Sequence, residues 1–218
     1  MAIKMINEDI AREISAKLLE ISAIKLNIKK PFKWSSGWNS PIYCDNRLSL
    51  SYPELRTKIK EYLSLGVKGY FPDTEAIAGV ATAGIPQGAL IADELGLPFV
   101  YVRSKPKGHG MENMIEGAIK PGQKVVLIED LISTGGSSLK AAEALRNEGC
   151  QVLGIGAIFT YGFDMAETNF NMAKVPGICL SHYKELIEQA IKMEYVKETE
   201  KISLESWRQD PATWHPKQ

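Results

Sequence analysis

The sequence has little of what metal centres and disulfide frameworks are made from. Its 218 residues hold three cysteines, Cys44, Cys150 and Cys179, widely spaced and without a CxxC pair, and three histidines. That is too few and too scattered for a zinc site. The thiols are expected to be reduced, as in a cytoplasmic protein. There is no excess of either charge: Lys plus Arg and Asp plus Glu both total 26. This removes the global electrostatic reason to expect nucleic acid or an anionic membrane as partner, so any anion site must be local. No run approaches the ~18 apolar residues of a membrane span. The opening stretch, MAIKMINEDIAREISAKLLEIS, carries acids where a signal peptide needs an unbroken apolar core. No internal repeat, low-complexity tract or linker stands out.

What is present suits an α/β fold. A hydrophobic content of 44% over this length supplies one such domain, with room for a small appendage. Ile10, Ile14, Leu18 and Ile21 recur at helical spacing behind Asn7-Glu8-Asp9, which suits a helix N-terminus. Residues 31–47, PFKWSSGWNSPIYCDNR, have no period and mix aromatic, Gly, Pro and small polar residues, as irregular or hairpin segments that hold ligands do. Beyond Leu55, strand-like runs at 76–81, 98–102, 124–129 and 152–159 alternate with helical patterns near 55–65, 86–95, 136–147 and 182–192. That alternation predicts a central parallel sheet flanked by helices on both faces. Ligands then bind beyond the carboxyl ends of the strands.

The most informative stretch is VVLIEDLISTGGS, residues 125–137. An apolar strand ends in two adjacent carboxylates, Glu129 and Asp130, and a hydroxyl- and glycine-rich turn then opens a helix at about Ser138. Ser133, Thr134, Gly135, Gly136 and Ser137 would present backbone N–H groups and hydroxyls at a helix N-terminus, where a phosphate is favoured. The two acids suit the vicinal hydroxyls of a ribose, each donating a charge-assisted bond. The alternative is an ordinary strand-turn-helix junction with solvated acids, which the order of the parts disfavours.

This stretch resembles the phosphoribosyl diphosphate (PRPP) signature of type I phosphoribosyltransferases, and two more segments resemble the orotate phosphoribosyltransferase family in particular. FKWSSGWNSPIYCDNR (32–47) is similar to the N-terminal hood of that family, whose backbone closes over the base; here it maps to Tyr43 and Cys44. RSKPKGHGMENMIEG (103–117) resembles its mobile cationic loop, with Arg103, Lys105, Lys107 and His109. GVATAGIP (79–86) resembles the loop whose backbone, at Thr82, Ala83 and Gly84, meets the diphosphate.

The resemblance implies a type I phosphoribosyltransferase fold with a small N-terminal hood. It divides the chain into a helix and hood over 1–50, a core over 51–195 and a C-terminal extension over 196–218, in one structural domain. PRPP would be bound by Glu129 to Ser137, Leu131 and Ile132 included, with the cationic loop and Thr82 to Gly84. Lys107 and Asp130 would be catalytic, and Ser133 would bond the base. Mg2+ is the implied cofactor, held mainly through PRPP rather than by direct protein ligands. The implied substrates are orotate and PRPP, and the implied assembly is a homodimer in which loop 103–116 completes the neighbouring active site.

The chain departs from the family in places. Thr82-Ala83 stand where some members carry Tyr-Lys, Ser35, Trp38 and Ser104 where some carry basic residues, and Thr160-Tyr161-Gly162 where some hold the base with an Arg. A phosphoribosyltransferase for another base is disfavoured by the hood. A PRPP-sensing regulator without catalysis is disfavoured by zero net charge and by the short stretch ahead of the hood. Trp207 and Trp214 in the tail are expected to cover apolar surface.

Overall fold

The computed structural model describes residues 2–34, 37–105 and 114–215. The chain begins with β1 (Ile3–Met5), α1 (Glu8–Glu20), β2 (Ile24–Leu26), β3 (Phe32–Lys33), β4 (Asn39–Ser40) and β5 (Ile42–Cys44), followed by a 3-10 turn over Asn46–Ser51. Next come α2 (Pro53–Tyr70), β6 (Ala76–Val80), α3 (Gly84–Leu95), β7 (Phe99–Val102) and β8 (Ile115–Glu116). The remainder is β9 (Lys124–Ile132), α4 (Gly136–Asn147), β10 (Gln151–Thr160), α5 (Asp164–Ala173), β11 (Gly177–His182), α6 (Tyr183–Lys192) and α7 (Lys201–Gln209).

Seven strands form the main sheet in the order β1-β11-β10-β9-β6-β7-β8, with β2-β5 and β3-β4 as two small antiparallel ribbons beside it. The main sheet is parallel except at one edge, where β8 runs antiparallel to β7. The alternation expected for a sheet buried on both faces is plain in β9. Val126 and Ile128 point into the core shared with Ile14, Leu18, Ile59, Leu63, Ile91 and Leu186 of α1, α2, α3 and α6. Val125 and Leu127 point into the other core, with Ala141, Ala142 and Leu145 of α4 and Ala166 and Phe170 of α5.

All four sequence-predicted strands and all the predicted helices are present, the first helix capped by Asn7, whose side chain accepts from the Asp9 and Ile10 N–H groups. Two features differ from expectation. β9 continues through Glu129 and Asp130 to Ile132, because β10 pairs with it as far as Thr160↔Ile132, so the acids sit inside the strand rather than after it. α4 spans Gly136–Asn147 as expected from the pattern near 136–147, with Gly135 in the left-handed region as its cap. β1, β11, α5 and α7 are additional elements. β1 has three residues, too few for a periodic signal, and α5, DMAETNFNMA, is rich in residues of weak helix propensity.

The tail is not merely a surface cover. Leu204, Trp207 and Trp214 belong to the same core as α1, α2 and α6. No helix among the described residues is long and apolar enough to cross a membrane.

Candidate active site

The end of β9 forms the floor. Glu129 is buried at 5% exposure, and its Oε2 accepts from Ser138 Oγ (3.1 Å) and Ser137 Oγ (3.3 Å), while Oε1 accepts from the Asp130 N–H (3.2 Å). Burial above all, and then the neighbouring Asp130 charge, push the Glu129 carboxyl well above the usual carboxylate range. Burial also raises Asp130. The two adjacent acids thus cannot both be comfortably ionised, and Glu129 holds its proton more tightly than an exposed carboxyl would.

The turn after the floor is fixed from both sides. Thr160 Oγ1 (3.0 Å) and the Tyr161 N–H (3.2 Å) donate to the Ile132 carbonyl, and Asn169 Nδ2 donates to the Thr134 carbonyl (2.9 Å). Ser133 and Thr134 are partly exposed, Leu131 is half-buried and Ile132 lies in the core. The two glycines do different work. Gly135 has φ +82°, and a Cβ there would sit 2.6 Å from Cε2 of Phe170. At exposed Gly136 the nearest atom to a Cβ is Thr134 Oγ1 at 3.9 Å, so its backbone is open to a ligand. The N–H groups of the first turn of α4 have no intrahelical acceptors and carry the positive end of the helix dipole.

Thr82, Ala83 and Gly84 lie beside this floor. The Ala81–Thr82 peptide is cis. A Cβ on Gly84 would collide with the Ile128 carbonyl oxygen and come within 3.2 Å of the Glu129 Cα, which is why glycine stands there. Thr82 is exposed and Ala83 half-exposed, just beyond the end of β6, which pairs with β9 as far as Gly79↔Ile128.

The hood reaches the floor through a residue the sequence reading did not single out. Asn46 is buried, its Nδ2 donates to the Asp130 carbonyl (2.7 Å), and its Oδ1 accepts from Cys44 Sγ (3.2 Å). Ser49 Oγ in turn donates to the Asn46 carbonyl (2.7 Å), with Gln87 Nε2 of α3 at 3.5 Å from Ser49 Oγ. Burial, then the nearby Asp130 charge, push the Cys44 thiol well up, so it stays a protonated donor. Tyr43 points the other way along β5, 42% exposed, with its ring 5.7 Å from that of Phe32. The bidentate pair of Arg47 with Asp45 (2.6 and 2.9 Å) brings a cation whose charge lowers Asp130 against the effect of burial. The signal for Asn46 and Arg47 was in CDNR, the last four residues of the hood segment.

The cationic loop is pinned at its base. The Arg103 N–H donates to the Met114 carbonyl (2.8 Å), and Arg103 Nη1 pairs with Glu116 at 3.5 Å. Lys105 is exposed. Lys107 and His109 lie outside the described residues. A separate cavity of about 680 Å3, lined by none of residues 129–138, lies at the ends of β10 and β11 against α7, where Arg208 Nη1 donates to the Gly162 carbonyl (2.7 Å).

Residues 51–183 match the phosphoribosyl transferase domain family. The orotate phosphoribosyltransferase of Porphyromonas gingivalis is 58% identical over 201 residues, covering 92% of this chain and 96% of that protein. That decides the matter. The chain belongs to the orotate phosphoribosyltransferase family. The family's protein from Enterococcus faecalis is 51% identical over 205 residues, 94% of this chain and 98% of that one. The crystal structure of orotate phosphoribosyltransferase from Aeropyrum pernix superposes with a TM-score of 0.73 at 29% identity, over 84% of this chain and 99% of that chain. The chain has the type I phosphoribosyltransferase fold.

Proposed function

We propose that this chain transfers ribose 5-phosphate from PRPP to N1 of orotate, giving orotidine 5'-phosphate and diphosphate, a step of pyrimidine nucleotide synthesis. The observation that carries the reading is the acid pair near the end of β9, Glu129 buried and Asp130 half-buried, bounded by an open glycine backbone at a helix N-terminus. The first turn of α4 and residues 133–137 bind the 5-phosphate. Glu129, which keeps its proton readily, and Asp130, the better carboxylate, offer the ribose hydroxyls a donor as well as acceptors. The Asp130 charge also favours the oxocarbenium-like ribosyl that develops as the bond to diphosphate loosens.

Departure of the diphosphate builds negative charge. We assign Lys107 to stabilising it, and Arg103, Lys105 and His109 to diphosphate binding or proton donation, with the backbone of Thr82, Ala83 and Gly84 on the other side. Orotate is already an anion and attacks with little base assistance. Ser133 and the hood at Tyr43 and Cys44 hold it.

Among the described residues no group of three or more His, Cys, Asp or Glu is arranged to cage a metal ion. The site fits Mg2+ held mainly through PRPP: ribose and diphosphate oxygens and waters would be its ligands, with Glu129 and Asp130 holding the ribose hydroxyls rather than the ion. When bound, it neutralises charge on the leaving diphosphate.

Three free cysteines suit a reducing compartment, and we assign the enzyme to the cytoplasm. We assign the active form to a homodimer in which loop 103–116 of one subunit closes the site of the other. The test is to follow loss of orotate absorbance in the purified protein with PRPP and Mg2+, with adenine, guanine, hypoxanthine and uracil as competing bases. Turnover of orotate is expected; preferred turnover of a purine would overturn the assignment.

A further inference from the structure

In the tail beyond Val196, α7 carries the side chain that ties the hood to the sheet. Trp207 of α7 is fully buried at 0% exposure, and its Nε1 donates to the Asn39 carbonyl of β4 (3.1 Å). Its ring stands edge-on to Trp34 of the hood at 5.5 Å, and at 5.4 to 5.7 Å from Phe163 and Tyr161, which follow β10. Trp34 repeats the arrangement within the hood, its Nε1 donating to the Ile42 carbonyl (3.2 Å). Two indole N–H groups therefore hold the carbonyls on either side of Ser40-Pro41, the short link that leads into Tyr43 and Cys44. The next tail residue, Arg208, holds the Gly162 carbonyl (2.7 Å), and Tyr183 anchors the helix from below through its hydroxyl to the Leu204 carbonyl (3.0 Å).

A two-stranded ribbon as short as β3-β4 is not stable on its own in water. The hood's position over the floor must come from what it packs against. One side is the Asn46 bridge to Asp130, and the other is α7. We propose that the C-terminal helix α7 is a positioning element for the pyrimidine site: Trp207 sets the height and tilt of the hood, and Arg208 fixes the strand end facing it. Neither residue touches the 5-phosphate cradle, so the effect falls on the base and not on the donor.

The inference rests on the reading that the hood contacts the base. Trp207→Phe keeps a ring in the cluster and removes the donor to Asn39, with Arg208→Gln as a second, milder variant. Each is assayed for KM of orotate, KM of PRPP, kcat and Tm, beside Asn46→Ala, which cuts the bridge from hood to floor, as a control on the hood itself. We expect Trp207→Phe to raise KM for orotate roughly three- to tenfold, the scale of one weakened hydrogen bond, with KM for PRPP and kcat within about twofold. Arg208→Gln is expected to shift the same parameter in the same direction by less. Equal rises in both KM values, or a fall in Tm with no orotate-specific change, would reduce α7 to a structural prop and overturn the proposal. If Asn46→Ala raises KM for orotate while both tail variants leave it alone, the tail inference fails and the hood reading stands. If Asn46→Ala has no effect on orotate, the hood reading itself fails.

Discussion

The floor between Glu129 and Ser138 is assembled from one unbroken stretch of chain, whereas the hood over residues 32–47 takes its shape from side chains as distant as Trp207. The floor's strand portion is held in register by β10, from Ala157↔Glu129 to Thr160↔Ile132. The hood has two short ribbons, one amide bridge and an aromatic cluster. A contiguous site imposes its chemistry on a few fixed positions; a site gathered from afar can be retuned from outside, by changes that touch no substrate.

The largest effect should come from opposing charges placed on different subunits. Lys107→Ala is expected to lower kcat about a hundredfold or more, since a cation serving the transition state is worth about 3 to 4 kcal/mol. Asp130→Asn should damage the floor independently. Mixing the two inactive variants under conditions of subunit exchange should restore about a quarter of wild-type activity, because about half the dimers are mixed and one of their two sites is intact. No recovery despite demonstrated exchange would mean that loop and floor act within one subunit, and the comparison between a self-contained floor and borrowed elements would need redrawing.

The next effect separates the two glycines of the floor. Gly136→Val should weaken PRPP binding roughly tenfold, on the scale of one or two lost anion contacts, with little change in Tm. Gly135→Val should instead cost roughly 2 to 4 kcal/mol of stability, because a β-branched residue at φ +82° is strained and its side chain meets the ring of Phe170. Calorimetry with and without PRPP distinguishes them; a Gly135 variant with normal Tm and poor PRPP affinity would put both glycines in the anion site.

These contrasts mirror what the sequence made legible. Residues 125–137 could be read because strand, acids, turn and helix follow one another, each with its own local chemistry. The alternation of runs likewise predicted the sheet and most of its helices. β1 was invisible because its three residues act only as a partner to β11, through Ile3↔Gly177 and its neighbours. Asn46 looked like any polar residue of an irregular segment, since its value lies in reaching a carbonyl 84 positions away. Trp207 read as a cover for apolar surface, because nothing in KISLESWRQ says that its indole nitrogen will meet Asn39.

Asn46 is the point where the two regions join, so its removal should sharpen the comparison. Asn46→Ala leaves the Asp130 carbonyl and the Cys44 thiol without their partner, which should cost roughly 1 to 3 kcal/mol. Unlike the tail variants, it should raise KM for orotate and lower kcat together, since it loosens hood and floor at once. Steady-state kinetics with each substrate varied in turn checks this. A change confined to orotate would place Asn46 wholly with the hood.

The smallest effect tests whether the floor carries a cost that the hood does not. Glu129 is buried beside Asp130, and its carboxyl is raised in the folded protein above its ordinary value. The folded state therefore binds that proton more tightly than the unfolded chain. Its stabilising contribution is complete at pH below the ordinary carboxylate range and is lost as pH rises toward the raised folded value. Glu129→Gln removes this titration and keeps an amide oxygen to accept from Ser137 and Ser138. Its Tm should be close to wild type in mild acid and should exceed it by a growing margin toward neutral and alkaline pH, while transferase activity falls. A margin that stays flat with pH, or a variant less stable at neutral pH, would show that Glu129 is ionised and compensated in the folded protein. The floor would then be as relaxed as the hood, and its buried acid would owe its place to packing rather than to a function that holds it there against its own solvation.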